Sequence, residues 1–131
     1  MALIEPGLKL YKRGSKTGQQ FETPDSGIID LLTITADNQF VVIEFKRDQT
    51  SDETVGQVLR YMGWIRRHLS PTKNVRSYVV AFDFDKYVQY ALYGMQHPLI
   101  PNAKGKNLIQ LYKHTFDASR MGSVPLEAIE Q

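Results

Sequence analysis

Apolar and polar positions alternate along residues 27–35, "GIIDLLTIT", and 39–46, "QFVVIEFK". Both runs are rich in β-branched and aromatic side chains, which predicts two strands. The "ADN" between them is turn chemistry, with Asn38 suited to positive φ, so the pair reads as a hairpin. Side chains alternate faces along a strand. Ile28, Asp30, Leu32 and Ile34 therefore share one face of the first strand. Phe40, Val42, Glu44 and Lys46 share a face of the second, with Val41, Ile43 and Phe45 turned away. A three-residue loop over 36–38 pairs Thr35 with Gln39 and sets Asp30 directly opposite Glu44, with Cβ atoms about 5 Å apart. Lys46 lies one pleat along.

The pattern changes to helical spacing over 52–69. Val55, Leu59, Met62, Ile65 and Leu69 form an apolar stripe, and Gln57, Tyr61, Trp64 and His68 form a second stripe beside it. Ser51 is suited to the N-cap, Asp52 and Glu53 to the positive end of the dipole, and Pro71 follows the close. "SYVVAFDF", 77–84, predicts a buried strand. "DKYVQYALYG", 85–94, predicts a helix capped by Asp85 and ended by Gly94, with Tyr87, Tyr90 and Tyr93 packing on the sheet or on a subunit. Residues 97–106 read as loop, 107–116 as a last strand, and the tail beyond as loose. Upstream, "GLKLYK" suits a short strand, "RGSKTG" a mobile loop and "QQFETP" an extended piece. The order β–β–β–α–β–α–β predicts an α/β fold, a mixed central sheet with helices packed against it.

Length adds that 1–131 is expected to be a single domain, since no repeat or linker interrupts the chain. There is no cysteine, which excludes disulfides and thiolate metal sites and suits a reducing cytoplasm. No apolar run reaches the roughly 18 residues of a membrane span, and Glu5 interrupts the N-terminal stretch, so neither a span nor a signal peptide is expected. Net charge is +2, but its distribution is uneven. Residues 22–53 hold eight acids against Lys46 and Arg47, leaving +8 on the remainder. Between Thr54 and Phe82 there is no acid, while Arg60, Arg66, Arg67, Lys73 and Arg76 all fall there. An acidic centre in a basic surround suits a site that holds cations and meets a polyanion.

Two carboxylates and an ammonium on adjoining buried faces are costly, because like charges repel and each ion loses hydration. A divalent metal supplies compensation. Mg²⁺ takes hard oxygen ligands, one or two carboxylates with water filling the rest. Asp30 and Glu44 can serve, and the backbone carbonyl of Phe45 lies between Glu44 and Lys46 as a third donor. Lys46 can then orient an attacking water and offset transition-state charge. Asp…Glu-x-Lys is a common spacing, and a solvated hairpin face with a Lys–Glu pair accounts for it as well.

Several features together go further. "GIID", then "VVIEFK", then a helix bearing "QVLRY" resembles the PD-(D/E)xK nuclease superfamily, particularly the RecB-like catalytic domain of the NucS (EndoMS) endonucleases. The resemblance runs from "IEPGLKL" to "LIQLYKHTF", nearly the whole chain up to Phe116. It implies a restriction-endonuclease-like core and a metal-dependent DNA endonuclease hydrolysing phosphodiester bonds in repair, recombination or restriction. Asp30 and Glu44 become metal ligands for Mg²⁺ or Mn²⁺ with the Phe45 carbonyl, Lys46 the catalytic lysine, and Gln57 and Tyr61 the helix pair facing the site. Lys16, Arg60, Arg66 and Arg67 are the expected nucleic-acid contacts, while Trp64 reads as a packed core-edge aromatic. His97 and His114 have no metal-ligand spacing to a partner.

The sequence departs from the family pattern in two ways. The helix that precedes "EPGL" in the family, with its acidic residue, has no counterpart, and neither Glu5 nor Glu22 sits on a matched motif. The N-terminal domain of the NucS proteins is also missing. DNA is the expected partner, with a homodimer or a partner supplying the helix, and no membrane. The alternative is a catalytically silent, nuclease-like module that binds nucleic acid or a partner.

Overall fold

In the computed structural model, which describes residues 5–72, 74–95, 109–114 and 126–128, the hairpin lies within the main sheet. The elements are β1 (Lys9–Leu10), β2 (Lys12–Arg13), β3 (Lys16–Thr17), β4 (Gln19–Thr23), β5 (Gly27–Ile34), β6 (Phe40–Thr50), α1 (Asp52–His68), β7 (Arg76–Phe84), α2 (Lys86–Met95), β8 (Ile109–His114) and β9 (Leu126–Ala128). Among the described residues the sheet runs β1-β5-β6-β7-β8-β9, with β4 on the same side of β5 as β1. The β5–β6 pair is antiparallel, β6–β7 and β7–β8 are parallel, and β9 returns antiparallel to β8. Parallel neighbours need a crossover, and α1 and α2 supply the two. The mixed α/β expectation holds, and residues 126–128, expected to be loose, extend the sheet.

The hairpin register is the one the turn chemistry predicts. Leu31, Leu32, Thr33 and Ile34 pair with Ile43, Val42, Val41 and Phe40. The Thr35 N–H donates to the Gln39 carbonyl at 2.9 Å, and Asn38 has φ 63°. Alternation fails at the start of β5, where Ile28 is exposed and Ile29 is fully buried in the helix-side core. That end of β5 pairs with β4 and has left the β6 ladder.

Both helices pack on one face of the sheet. Val55, Val58, Met62 and Ile65 of α1 and Val88 and Leu92 of α2 join Val42, Val79 and Leu111 in one apolar cluster. Each such fully buried side chain contributes about 1.5–3 kcal/mol. Val55, Met62 and Ile65 are buried as expected, but Leu59, expected in the same stripe, is exposed, and Val58 and Tyr61 are buried in its stead. Ser51 occupies the N-cap with extended dihedrals but makes no side-chain cap bond. The Thr50 and Thr54 hydroxyls bond each other there instead. Asp85 caps α2 as expected, its Oδ1 accepting from the Val88 N–H at 2.9 Å, and the helix continues past Gly94 to Met95.

The opposite face gathers Leu8, Val41, Ile43, Tyr78 and Val80. On that side Arg76 is buried and grips Glu5 through both terminal nitrogens, at 2.8 and 2.9 Å. Tyr78 donates its hydroxyl to the same carboxylate. Arg76 thus belongs to an internal ion pair and not to the basic surface its place in the sequence suggested.

The β1/β4 side of β5 is interrupted. Tyr11 N–H donates to the Leu32 carbonyl and Leu32 N–H donates to the Gly18 carbonyl, while residues 12–17 leave as the β2–β3 ribbon. The basic "RGSKTG" segment, expected to be a mobile loop, is that ribbon. Gly18 is required at its base: an added Cβ would lie 1.9 Å from the Leu32 carbonyl oxygen.

Candidate active site

The β5–β6 ladder stops at Leu31 and Ile43, and the next two residues are joined through side chains. The Asp30 backbone N–H donates to Glu44 Oε1 at 3.0 Å, and the Phe45 backbone N–H donates to Asp30 Oδ2 at 2.9 Å. Each carboxylate takes a main-chain donor that the parting strands would otherwise leave open. Asp30 is half-buried, whereas Glu44 is 2% exposed. Burial pushes the Glu44 carboxyl up to about 7, and the nearby Asp30 charge adds to this against the pull of the Asp30 amide and of Lys46.

Val42 lies in the helix-side cluster, so alternation turns Glu44 and Lys46 toward α1 as well. Lys46 Nζ is 3.8 Å from Glu44 Oε2 and donates to Gln57 Oε1 at 3.1 Å. Gln57 Nε2 donates to the Tyr61 hydroxyl at 2.9 Å. An ammonium can only donate, which fixes the Gln57 amide orientation. Gln57 and Tyr61 stand one helical turn apart on the same face. Gly27, at φ +109°, leaves room for Tyr61: a Cβ there would sit 3.1 Å from the phenolic oxygen. Asp30, Glu44, Lys46, Gln57 and Tyr61 thus form one connected set.

The donor set fits a hard divalent cation. Two carboxylate groups adjoin, and the Phe45 N–H points to the β5 side, where strand geometry also sends the carbonyl of the same residue. Among the described residues no three His, Asp or Glu side chains converge, so water and that carbonyl would have to complete a coordination shell. Glu5 is engaged with Arg76 and Tyr78, and Glu22 is exposed; the structure brings neither to the acid pair.

Of the predicted basic contacts, Arg60 and Arg67 come together. They line an open cleft of about 480 Å³ with Asp25, Ser26, Trp64 and His68. Arg60 Nε and Nη2 donate to the Ser26 carbonyl at 3.3 and 3.2 Å, and its guanidinium lies 5.7 Å from the Tyr61 ring. Trp64 is half-buried, edge-on to Phe21 at 6.2 Å and 4.7 Å from the His68 ring. Arg66 is exposed and does not line this cleft. Lys16 is exposed on β3, its ammonium 4.7 Å from the Phe21 ring centroid. Tyr87, Tyr90 and Tyr93 are 56–69% exposed, so they do not pack on the sheet. His97 and the side chain of His114 lie outside the described residues. Sequence reasoning missed Ser26 and Gly27; "PDSG" signalled a turn, but not that the turn would abut α1.

Residues 1–91 match the family model described as the endonuclease NucS C-terminal domain. A search of curated proteins found no match. Among solved structures, the chain is similar to a repair endonuclease from Pyrococcus abyssi at 26% identity and TM-score 0.58, over 72% of this chain and 38% of that one. It is also similar to EndoMS in complex with double-stranded DNA, at 26% identity and TM-score 0.56 over 70% of this chain and 35% of that one. EndoMS in its apo form gives 26% identity and TM-score 0.51, over 71% and 37%. The chain spans little more than a third of the length of these proteins. Among the described residues no helix is long and apolar enough to cross a membrane.

Proposed function

We propose, from the premise that this chain belongs to the endonuclease NucS C-terminal domain family, that it is a metal-dependent DNA endonuclease of the PD-(D/E)xK type on a restriction-endonuclease-like core. The observation that carries this is the interlocked Asp30–Glu44 pair, two carboxylates brought side by side with Lys46 Nζ 3.8 Å from Glu44 Oε2. The names of the similar structures, a repair endonuclease and a complex with double-stranded DNA, support DNA as the polymer and repair as the setting.

Asp30, Glu44 and the Phe45 carbonyl would hold Mg²⁺ or Mn²⁺, which when bound polarises a phosphoryl oxygen and acidifies a water. With its carboxyl raised to about 7, Glu44 would have to be ionised to hold the cation. Lys46, held by Gln57 Oε1 and 3.8 Å from Glu44 Oε2, would orient a nucleophilic water or offset charge on the phosphoryl oxygens. Gln57 and Tyr61 keep that ammonium in place. Lys16, Arg60, Arg66 and Arg67 meet backbone phosphates and set the strand's register without reading its sequence. Cutting both strands of a duplex would bring two copies together.

The test is to incubate the purified chain with supercoiled, linear, single-stranded and flapped DNA in Mg²⁺, Mn²⁺ or EDTA, beside Asp30→Ala and Lys46→Ala. Metal-dependent cutting that is lost in both variants is expected. Cutting that survives both overturns the assignment. A second function, a silent nuclease-like binding module, is favoured by the convergence of only two acids among the described residues. Binding without cutting in either metal would select it.

A further inference from the structure

The β2–β3 ribbon takes no part in the acid site, yet it is concentrated in charge and set out in solvent. Lys9, Lys12, Arg13 and Lys16 fall between Glu5 and Glu22 with no acid among them. Residues 12–17 are all exposed, and a Cβ added to Gly14 at the tip would meet nothing within 4 Å. We propose that this ribbon enters the major groove of a DNA duplex, within about one helical turn of the cut, and sets Lys12, Arg13 and Lys16 against the phosphates of the groove walls. The inference rests on the nuclease assignment above and adds how the duplex is gripped.

Shape, stiffness and charge each support it. Lys12 pairs with Thr17 and Arg13 with Lys16, which leaves Gly14 and Ser15 as a two-residue turn, and Gly14 supplies the positive φ such turns need at their first position. At about 3.3 Å per residue the tip stands about 10 Å beyond Tyr11. Two paired strands fit a B-form major groove about 12 Å wide, whereas the A-form RNA groove is too deep and narrow for side chains to enter. The root is stiff. Tyr11 N–H donates to the Leu32 carbonyl at 3.0 Å, Gly18 N–H donates to the Tyr11 carbonyl at 2.7 Å, and the Tyr11 ring stands edge-on to Phe21 and Phe40 at 5.9 and 5.0 Å. Leu32 and Asp30 lie two residues apart on β5, about 7 Å, so one strand carries both the ribbon's root and the acid pair. These distances stay well inside the roughly 34 Å of one duplex turn. Arg13 and Lys16 are directly opposed, a like-charge pair that works against the ribbon's own pairing until an anion lies between them. Lys16 Nζ is 4.7 Å from the ring centroid of Phe21, a member of the helix-side cluster, so this pair faces the side of the sheet where Lys46 meets Gln57.

The test is anisotropy of a labelled DNA duplex two helical turns long, titrated in EDTA with the whole chain and with the triple variant Lys12→Ala, Arg13→Ala, Lys16→Ala. The three side chains are exposed, so the variant should unfold at the wild-type temperature. It is expected to bind the duplex on the order of a hundredfold more weakly at moderate salt and to lower the salt slope by about three. Groove entry is read from the same duplex glucosylated at C5 of its cytosines, a position that opens into the major groove. Wild type should bind that duplex about tenfold more weakly than the plain one, and the variant should not distinguish them. A wild type indifferent to the glucosyl groups, or an RNA duplex that loses as much affinity as the DNA in the variant, overturns the inference. Tight duplex binding that is equal in wild type and variant overturns the ribbon's role and leaves the nuclease assignment standing. No duplex binding by the wild type overturns both.

Discussion

Asp30 and Glu44 hold each other's strand: the Asp30 amide bonds the Glu44 carboxylate at 3.0 Å, and the Asp30 carboxylate bonds the amide just after Glu44 at 2.9 Å. The acids occupy the position where the β5–β6 ladder has ended. Two like charges are thereby brought together by a reciprocal pair of hydrogen bonds, in a place where Glu44 is out of water. The arrangement satisfies the backbone at the cost of electrostatic tension, and several measurable properties follow.

Stability should fall as pH rises through the Glu44 titration. Glu44 titrates at about 7 in the fold against 4.5 for the unfolded chain, so between those values the native state holds a proton the unfolded state has lost. Its contribution is undiminished below about 4.5, declines toward about 7 and is level above. A shift of this size corresponds to on the order of 3 kcal/mol. Glu44→Gln should match the wild type in thermal unfolding at the acid end of that range and exceed it at the alkaline end. Parallel unfolding profiles for the two proteins would contradict this.

Divalent metal should relieve the same tension. Mg²⁺ or Mn²⁺ at about a hundredfold over its dissociation constant is expected to stabilise the wild type by about 2.7 kcal/mol and to leave Asp30→Asn unmoved. Because loading requires the Glu44 carboxylate, apparent affinity should weaken as pH drops below about 7. Thermal shift against metal concentration at several pH values measures both.

Removing the acceptor of Lys46 should affect turnover more than binding. Gln57→Ala frees the ammonium from its 3.1 Å anchor, and single-turnover cutting is expected to slow about ten- to hundredfold with DNA affinity little changed. Tyr61→Phe, which removes only the oxygen that receives Gln57 Nε2, should show the same signature to a lesser degree. A loss of affinity that matches the loss of rate would assign Gln57 to substrate binding instead.

Gly18→Ala should destabilise by about 3 kcal/mol, since the new methyl meets a carbonyl oxygen at 1.9 Å and backbone must shift. Gly14→Ala is the control. It has φ +62° but open space around it, and should cost only about 1 kcal/mol. Chemical denaturation separates the two.

The opposed acids were legible in the sequence because a period of two and a defined turn leave one register for the hairpin, and Asn38 supplies the turn. The Lys46–Gln57–Tyr61 chain was half legible: helical spacing put Gln57 and Tyr61 on one face, but a periodicity cannot give the angle at which a helix meets a sheet. That angle buries Val58 and exposes Leu59. What escaped entirely depends on partners far apart in the chain. Arg76 reads as one more surface cation until Glu5, 71 residues away, is seen to bind it. Ser26 gains its role only because its turn lies against Arg60, and the ribbon over residues 12–17 has no apolar period to announce it.

That ribbon bears on how the molecule behaves in a crowded solution. A sheet that ends in a long straight strand offers a row of unused amides on which a stray chain can grow. Here β1 and β4 are separated by a protruding, lysine-bearing hairpin that breaks the row into short pieces. The fold guards one flank against templated aggregation by making it uneven.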